Sequence, residues 1–258
     1  MPGLNKDLPV VTVVIPCHNH EKLVLRAVDS VVNNGYPRVI VAVVDDGSRD
    51  NSRQIILSQI ENQQSVGENA IQGVYKGVPI VLLWNDISRG PSFARNMAIK
   101  ALWNNCHLFA MLDADDYYLG GKLEKCATVW MSDPDNIGLV YHDILINNLA
   151  VGSFLYEYRE PFDRKRLEQE CIISNTPLVS KAAFQVVGLY DDDMRTCEDW
   201  DLWLRVTERF IAVHIPEALS VYSVTGYNAT DTVPREIWQH NWQRVQQKLK
   251  ERYAQARR

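Results

Sequence analysis

The 258-residue chain is 46% hydrophobic and 23% charged, a balance that suits a globular protein able to bury a sizeable core. Its formal net charge of −5 argues against a general nucleic-acid binder, which would carry a basic domain. Five scattered cysteines (Cys17, Cys106, Cys126, Cys171, Cys197) without a C-x-x-C pair argue against a disulfide framework or a zinc site and point to reduced thiols.

The first residues, Met1 to Asp7, lack the charged-then-apolar layout of a signal peptide. No apolar run approaches the roughly 20 residues of a membrane-spanning helix. The expectation is a cytoplasmic protein. Val10 to Ile15 is β-branched and continuously apolar, as a strand covered on both faces should be. It ends at Pro16-Cys17-His18-Asn19. Leu23, Ala27, Val28, Val31 and Val32 then fall on one helical stripe, closed by Asn33-Asn34-Gly35. Val39 to Val44 predicts a second buried strand, ending in Asp45-Asp46-Gly47-Ser48, and a helix follows over 51–60. The polar stretch 61–77 reads as a loop or short edge elements. Ile80 to Trp84 is the third strand, and Ser92 to Trp103 is an amphipathic helix.

Next comes Leu108-Phe109-Ala110-Met111-Leu112-Asp113-Ala114-Asp115-Asp116, in which an apolar run ends abruptly in carboxylates. The order β-α-β-α-β-α-β predicts a mostly parallel sheet with right-handed crossovers. In such a sheet the carboxyl ends line one rim, where open α/β folds bind ligands. Closely spaced oxygens at such a strand end suit a hard divalent cation, and a solvated acidic turn is the plain alternative. There is no G-x-G-x-x-G and no G-x-x-x-x-G-K-[ST] loop, which disfavours dinucleotide and P-loop chemistry.

Beyond Asp116 the alternation weakens. Helices are expected over 122–131, 162–170 and 179–187, a strand over 137–146 that pairs with 150–154 across Asn147-Asn148, and short strands over 211–214 and 218–221. Trp200, Trp203 and Leu204 share a helical face whose first turn holds Glu198 and Asp199, where negative charge also offsets the helix dipole. From Pro234, Trp238, Trp242, Val245 and Leu249 form a helical stripe opposite Arg244, Lys248 and Lys250. A helix docked on the body is the expectation, with a dimer contact or peripheral contact with the inner face of an anionic membrane as alternatives. Asn228-Ala229-Thr230 fits the glycosylation sequon, which carries little weight without a secretory route.

These pieces resemble family 2 glycosyltransferases of the GT-A fold. The resemblance rests on Pro16-Cys17-His18-Asn19, Val44-Asp45-Asp46-Gly47-Ser48, Gly90 to Asn96 (GPSFARN), Leu112-Asp113-Ala114-Asp115-Asp116, Val187-Gly188-Leu189-Tyr190-Asp191 and Glu198-Asp199-Trp200, in that order. It spans about residues 9 to 225. It implies one GT-A domain over 1–230, a Rossmann-like sheet with a nucleotide-sugar half (1–116) and an acceptor half (117–230), followed by a C-terminal amphipathic helix over 231–258. It implies inverting transfer of one sugar from a nucleoside-diphosphate-sugar, UDP-sugar favoured, to a hydroxyl of a glycan, lipid-linked or small-molecule acceptor. Carried over by position, Pro16, His18, Asn19, Asp45, Asp46, Arg95, Asp113 and Ala114 would surround the nucleotide. Asp115 and Asp113 would hold Mn²⁺ or Mg²⁺ at the diphosphate. Asp199 would be the base that takes the acceptor proton, with Glu198 beside it and Trp200 lining the acceptor pocket or the core.

Two departures stand out. Where many relatives supply a histidine to the metal or diphosphate, this chain has Tyr222-Ser223-Val224-Thr225, which implies that this ligand is missing or replaced. No Q-x-x-R-W motif occurs, which disfavours a processive synthase. The competing reading is a catalytically silent nucleotide-sugar or glycan-binding module of the same fold.

Overall fold

The computed structural model describes residues 8–256, so the signal-peptide expectation at residues 1–7 lies outside the described residues. In chain order the first half contains β1 (Val11–Cys17), α1 (Val24–Val32), β2 (Val39–Asp46), α2 (Ser52–Gln59), β3 (Glu61–Gly67), β4 (Ala70–Tyr75), β5 (Val78–Asn85), α3 (Pro91–Ala101) and β6 (Leu108–Met111). β5, β2, β1 and β6 lie side by side in that order and run parallel. Val11, Val13, Val14, Ile15 and Val41 to Val44 are fully buried, which is why these strands read as unbroken apolar runs.

The polar stretch 61–77 is a hairpin rather than a loop. β3 pairs antiparallel with β4, and β4 with β5. Every β3 residue is exposed, so the strand shows no apolar alternation and is held by its backbone pairing and a few glutamine hydrogen bonds, such as Gln72 Nε2 to Gln64 Oε1 at 3.1 Å.

The second half contains β7 (Tyr117–Tyr118), α4 (Lys122–Met131), β8 (Ile137–Asn148), β9 (Ser153–Glu157), α5 (Arg164–Gln169), β10 (Leu178–Ser180), α6 (Lys181–Val187), α7 (Glu198–Val206), β11 (Ile211–Val224), α8 (Ala229–Thr232) and α9 (Arg235–Ala256). The sheet is mixed here. β10 is antiparallel to both β6 and β8, β8 pairs parallel with β11, and β7 and β9 close the edges antiparallel. The helix expected over 179–187 begins two residues later, because Leu178 and Val179 pair with Ala110 and Phe109. Ser180 then caps α6, its hydroxyl accepting from Ala183 N–H at 3.0 Å. The two short strands expected between 211 and 221 form one, with register shifts between Ile215 and Ser220 around Pro216, which has no N–H to donate.

The tail is the helix α9, docked through Val245 and Leu249, which are 0% and 5% exposed. Arg244 and Lys248 on α9 both pair with Asp191. Trp242 packs near Trp200 (centroids 6.5 Å apart) yet stays 48% exposed, so the apolar stripe is only half used. Among the described residues no helix is long and apolar enough to cross a membrane.

Candidate functional site

The polar strand ends converge on one rim. The loop after β1 is sewn to the loop after β2: Asn19 N–H donates to Ser48 Oγ at 2.9 Å, and Arg49 N–H donates to Asn19 Oδ1 at 2.7 Å. Asn19 holds this geometry with a left-handed backbone (φ 59°), which asparagine tolerates better than most residues. His18 is exposed; its Nδ1 lies 2.7 Å from the Asp46 carbonyl oxygen and its Nε2 2.9 Å from Asn19 Nδ2. An imidazole face is thus presented at the rim beside the half-buried Pro16.

Asp45 and Asp46 are both buried and do different work. Asp46 holds the 85–90 loop, accepting from Asn85 Nδ2 (2.9 Å), Ser88 Oγ (2.8 Å), Arg89 N–H (2.9 Å) and Gly90 N–H (2.8 Å). Gly47 lets that loop lie against the strand end, since a Cβ there would meet Ser88 N at 2.5 Å. Asp45 pairs with Arg53 at 2.8 Å through Oδ2, and its buried Oδ1 has no partner among the described residues. The carboxylate of Asp46 is therefore committed to the loop, and Asp45 is the one with an oxygen in reserve.

α3 carries Arg95, which is 6% exposed, into the middle of the rim. Its Nη2 meets Asp113 Oδ1 at 2.6 Å and its Nη1 meets Glu198 Oε1 at 2.7 Å. Two acids 85 positions apart in sequence are thus joined by one guanidinium, and their charges hold it protonated against the effect of burial. The same helix positions the far wall. Ser92 Oγ donates to the Met194 carbonyl, and Asn96 exchanges hydrogen bonds with the Tyr190 backbone.

Asp199 follows Glu198 in the first turn of α7. Its Oδ1 accepts the Trp200 N–H at 2.7 Å. Burial, and next the charge of Glu198, push its pKa up to about 6, while Trp200 N–H and Arg95 pull the other way. The turn is set by Cys197, whose φ of 58° is an uncommon left-handed backbone for a residue with a side chain. Trp200 does not line the cleft. It is 3% exposed, in the core, and its indole N–H donates to the Leu167 carbonyl at 2.5 Å. The buried apolar face of α7 leaves no room for a pocket-lining role.

The three acids after β6 also differ. Asp116 is fully buried, accepting from Ser223 N–H and Asn175 Nδ2, both at 2.8 Å. Burial, and next the charges of Asp115 and Asp113, push it well above the usual carboxylate range. Ala114 is 1% exposed and packs into the core, so only its backbone faces the turn. Asp115 is 8% exposed; burial and then the Asp113 charge raise its pKa. Arg26 reaches the Asp115 backbone carbonyl and, at 2.9 Å, Ser223 Oγ.

Arg26 and Asn175 were not marked by sequence, and Ser223 and Asn228 stood out there only within Tyr222–Thr225 and a glycosylation sequon, neither of which points to a contact with the acids. Asn175 sits in a stretch with no periodicity or motif, and Arg26 lies on a helix whose apolar stripe explains its fold without it. Thr225, flagged by sequence, does not reach the acids. Its hydroxyl donates to Asn228 Oδ1 at 3.0 Å, and it is Asn228 Nδ2 that meets Asp115 Oδ2, at 3.2 Å.

Among the described residues no three His, Cys, Asp or Glu side chains form a metal-holding group. The turn thus offers two carboxylates, Asp113 and Asp115, and among the described residues the Asp115 carboxylate is hydrogen-bonded by the neutral amide of Asn228 and by no cationic side chain. One or two protein carboxylates with the remaining oxygens from phosphate and water is how Mg²⁺ is commonly held. The donor set fits such an ion.

The profile of "Glycosyl transferase family 2" matches residues 12–184. An Escherichia coli protein, the UDP-Glc:alpha-D-GlcNAc-diphosphoundecaprenol beta-1,3-glucosyltransferase WfgD, is 25% identical over 205 residues, covering 76% of this chain and 69% of that protein. The fold matches S. aureus TarS in complex with UDP (TM-score 0.63, 16% identity, 84% of this chain and 61% of that one). It also matches the mannosyltransferase PcManGT from Pyrobaculum calidifontis in complex with GDP-Man and Mn²⁺ (TM-score 0.62, 18% identity, 87% and 59%). The chain thus spans about three-fifths of those structures' length. With its family profile covering two-thirds of its residues and its sheet shared with GT-A enzymes, the chain belongs to glycosyl transferase family 2.

Proposed function

We propose that the chain transfers one sugar from a nucleoside-diphosphate-sugar to an acceptor hydroxyl, with inversion at the anomeric carbon and with Mn²⁺ or Mg²⁺ at the diphosphate. The observation that carries this reading is the Arg95 bridge. It joins Asp113 and Glu198 through one guanidinium and so holds the two acidic turns close together, which supports a site where donor-side and acceptor-side groups act on one reaction. TarS is described with UDP and with UDP-GlcNAc, and PcManGT with GDP-Man and Mn²⁺, which supports a nucleoside diphosphate carrier and favours uridine.

In this reading the wall built from Pro16, His18 and Asn19 packs against the nucleobase, and Asp45 Oδ1 is the free acceptor for a base or ribose donor. Asp113 and Asp115 face the diphosphate. A divalent cation there would offset the negative charge that develops on the leaving group. On the opposite face, Asp199 Oδ1 is held by Trp200 N–H, which leaves Oδ2 to accept the hydroxyl proton of the acceptor. As the acceptor oxygen bonds to the anomeric carbon, the bond to the diphosphate breaks and the proton passes to Asp199. With a pKa near 6 the carboxylate is ionised at neutral pH yet more basic than an exposed one, as a general base should be. Glu198 acts through Arg95 and its own charge, fixing the α7 turn and keeping the Asp199 pKa up. The acceptor is a glycan, lipid-linked or small-molecule hydroxyl, and one sugar is added per encounter.

The test is a thermal-shift panel of nucleoside diphosphates with and without Mn²⁺, followed by donor turnover in wild type and Asp199→Asn. Stabilisation by one nucleotide only when metal is present, with turnover lost in Asp199→Asn and binding kept, is the expected outcome. Binding without turnover of any donor by the wild type would leave a recognition module instead.

A further inference from the structure

Each acid after β6 has a different kind of partner. Asp113 has a cation, Arg95. Asp116 has two neutral donors and is sealed from solvent. Among the described residues, Asp115 has one side-chain donor, the amide of Asn228, which is itself 7% exposed.

That amide is fully used. Nδ2 donates to Asp115 Oδ2 at 3.2 Å and to the Ser223 carbonyl at 2.9 Å, while Oδ1 accepts from Thr225 N–H at 2.7 Å and Thr225 Oγ1 at 3.0 Å. This pattern fixes the orientation: a flipped amide would set its oxygen against two acceptors and its NH₂ against a backbone N–H. Asn228 Oδ1 is therefore not available to a metal ion. Its backbone carbonyl is also engaged, accepting from Asp231 and Thr232 N–H at the start of α8.

We propose that Asn228 is a positioning residue for Asp115. By holding Oδ2 with a neutral donor it presents Oδ1 as the single ligating oxygen, without cancelling the charge that the cation needs. The same contact ties the segment after β11 to the donor site, so ordering of residues 223–228 and cation binding support each other. This rests on the donor-site reading above. Groups that orient a ligand without touching the metal commonly change metal affinity by about 10- to 100-fold when removed.

The experiment titrates Mn²⁺ into the protein with saturating UDP, read by Mn²⁺ electron paramagnetic resonance and by thermal shift. In Asn228→Ala the apparent Mn²⁺ dissociation constant should rise about tenfold. UDP affinity without metal should be unchanged, and kcat should recover at high Mn²⁺. Thr225→Val, which removes only the hydroxyl that fixes the amide, should give a smaller shift in the same direction. Asn228→Asp sets an acceptor against Asp115 Oδ2 where the donor was, and should lower the metal-free melting temperature and weaken Mn²⁺ as Asn228→Ala does; tighter Mn²⁺ would show direct ligation and overturn the positioning role. An Asn228→Ala protein that binds Mn²⁺ as wild type does, or one whose kcat stays low at every Mn²⁺ concentration, would overturn the positioning role. A wild type without metal-dependent binding of UDP or GDP would instead overturn the donor-site reading and the positioning role with it.

Discussion

Arg95→Met removes two ion pairs at once and replaces a buried cation by a thioether of similar reach. Deleting one partner of a buried pair costs about 3–5 kcal/mol, because the remaining charge is left in a poor solvent. Glu198, with its side chain 10% exposed, should bear most of that term, whereas Asp113, at 28%, is rescued in part by water. The Arg95 side chain is itself buried, so its removal also relieves a desolvation penalty. We expect a net loss of about 3 kcal/mol, or a fall in melting temperature of about 6–12 °C for a domain of this size. Urea unfolding at pH 7.5 measures it directly. The double variant with Glu198→Gln should lose clearly less than the sum of the two single variants, since the second change removes the stranded charge. A single variant within about 0.5 kcal/mol of wild type, together with strict additivity, would show that the bridge holds nothing and would refute its role as the link between the two turns.

Further outcomes follow from the same network. Glu198→Gln removes the neighbouring charge that raises Asp199, so the acid limb of kcat/KM should move to lower pH, while Arg95→Met should move it higher. Asp199→Asn should abolish turnover but stabilise the fold at pH 8. The folded-state pKa of about 6 lies above the unfolded value of about 3.9, so Asp199 favours folding fully below pH ~4 and loses that contribution as pH rises through 6. The stability gap between variant and wild type should therefore open between pH 4 and 6 and reach on the order of 3 kcal/mol. Asp115→Ala should lose metal-dependent stabilisation by nucleotide yet melt higher than wild type without metal, because a buried like-charge neighbour of Asp113 is gone. Asp46→Asn leaves loop donors unmatched, and should cost about 1–3 kcal/mol and speed proteolysis at 85–90.

The parallel heart of the sheet was legible because its strands are buried on both faces and bounded by helices with clear stripes. The convergence of Asn19, Asp45 and Asp113 on one rim followed from that order, whereas Glu198 comes to it on α7 and is tied there by Arg95. The β3–β4 hairpin was not legible, since a strand exposed along its whole length leaves no pattern in side chains. The reversed strand β10 was read as helix because three residues are too few to show a period, and its pairing partners lie some 70 and 40 positions upstream. The division of labour among the acids was hidden for a different reason. Asp45 and Asp46 are adjacent and identical, and only the fold decides that one faces Arg53 and the other a loop of four donors. Asn175 and Asn228 belong to the same class: an amide acquires meaning from what it touches.

The reversal of β10 has a consequence for how this fold can vary. The chain leaves the parallel strands after Met111 and returns beside them, with Met111 N–H donating to the Pro177 carbonyl at 3.0 Å. Everything between is a closed excursion whose two ends are already joined. The entropy of closing such an excursion grows only slowly, by about 0.6 kcal/mol for each doubling of its length. The turn between β8 and β9 and the link from β9 to α5 can therefore be lengthened, shortened or exchanged with little strain elsewhere, whereas β8 itself is fixed between β10 and β11. Variation in this fold is thus expected at the β9 edge, which β8 alone holds, while the three-residue strand β10 keeps the parallel and mixed parts of the sheet joined.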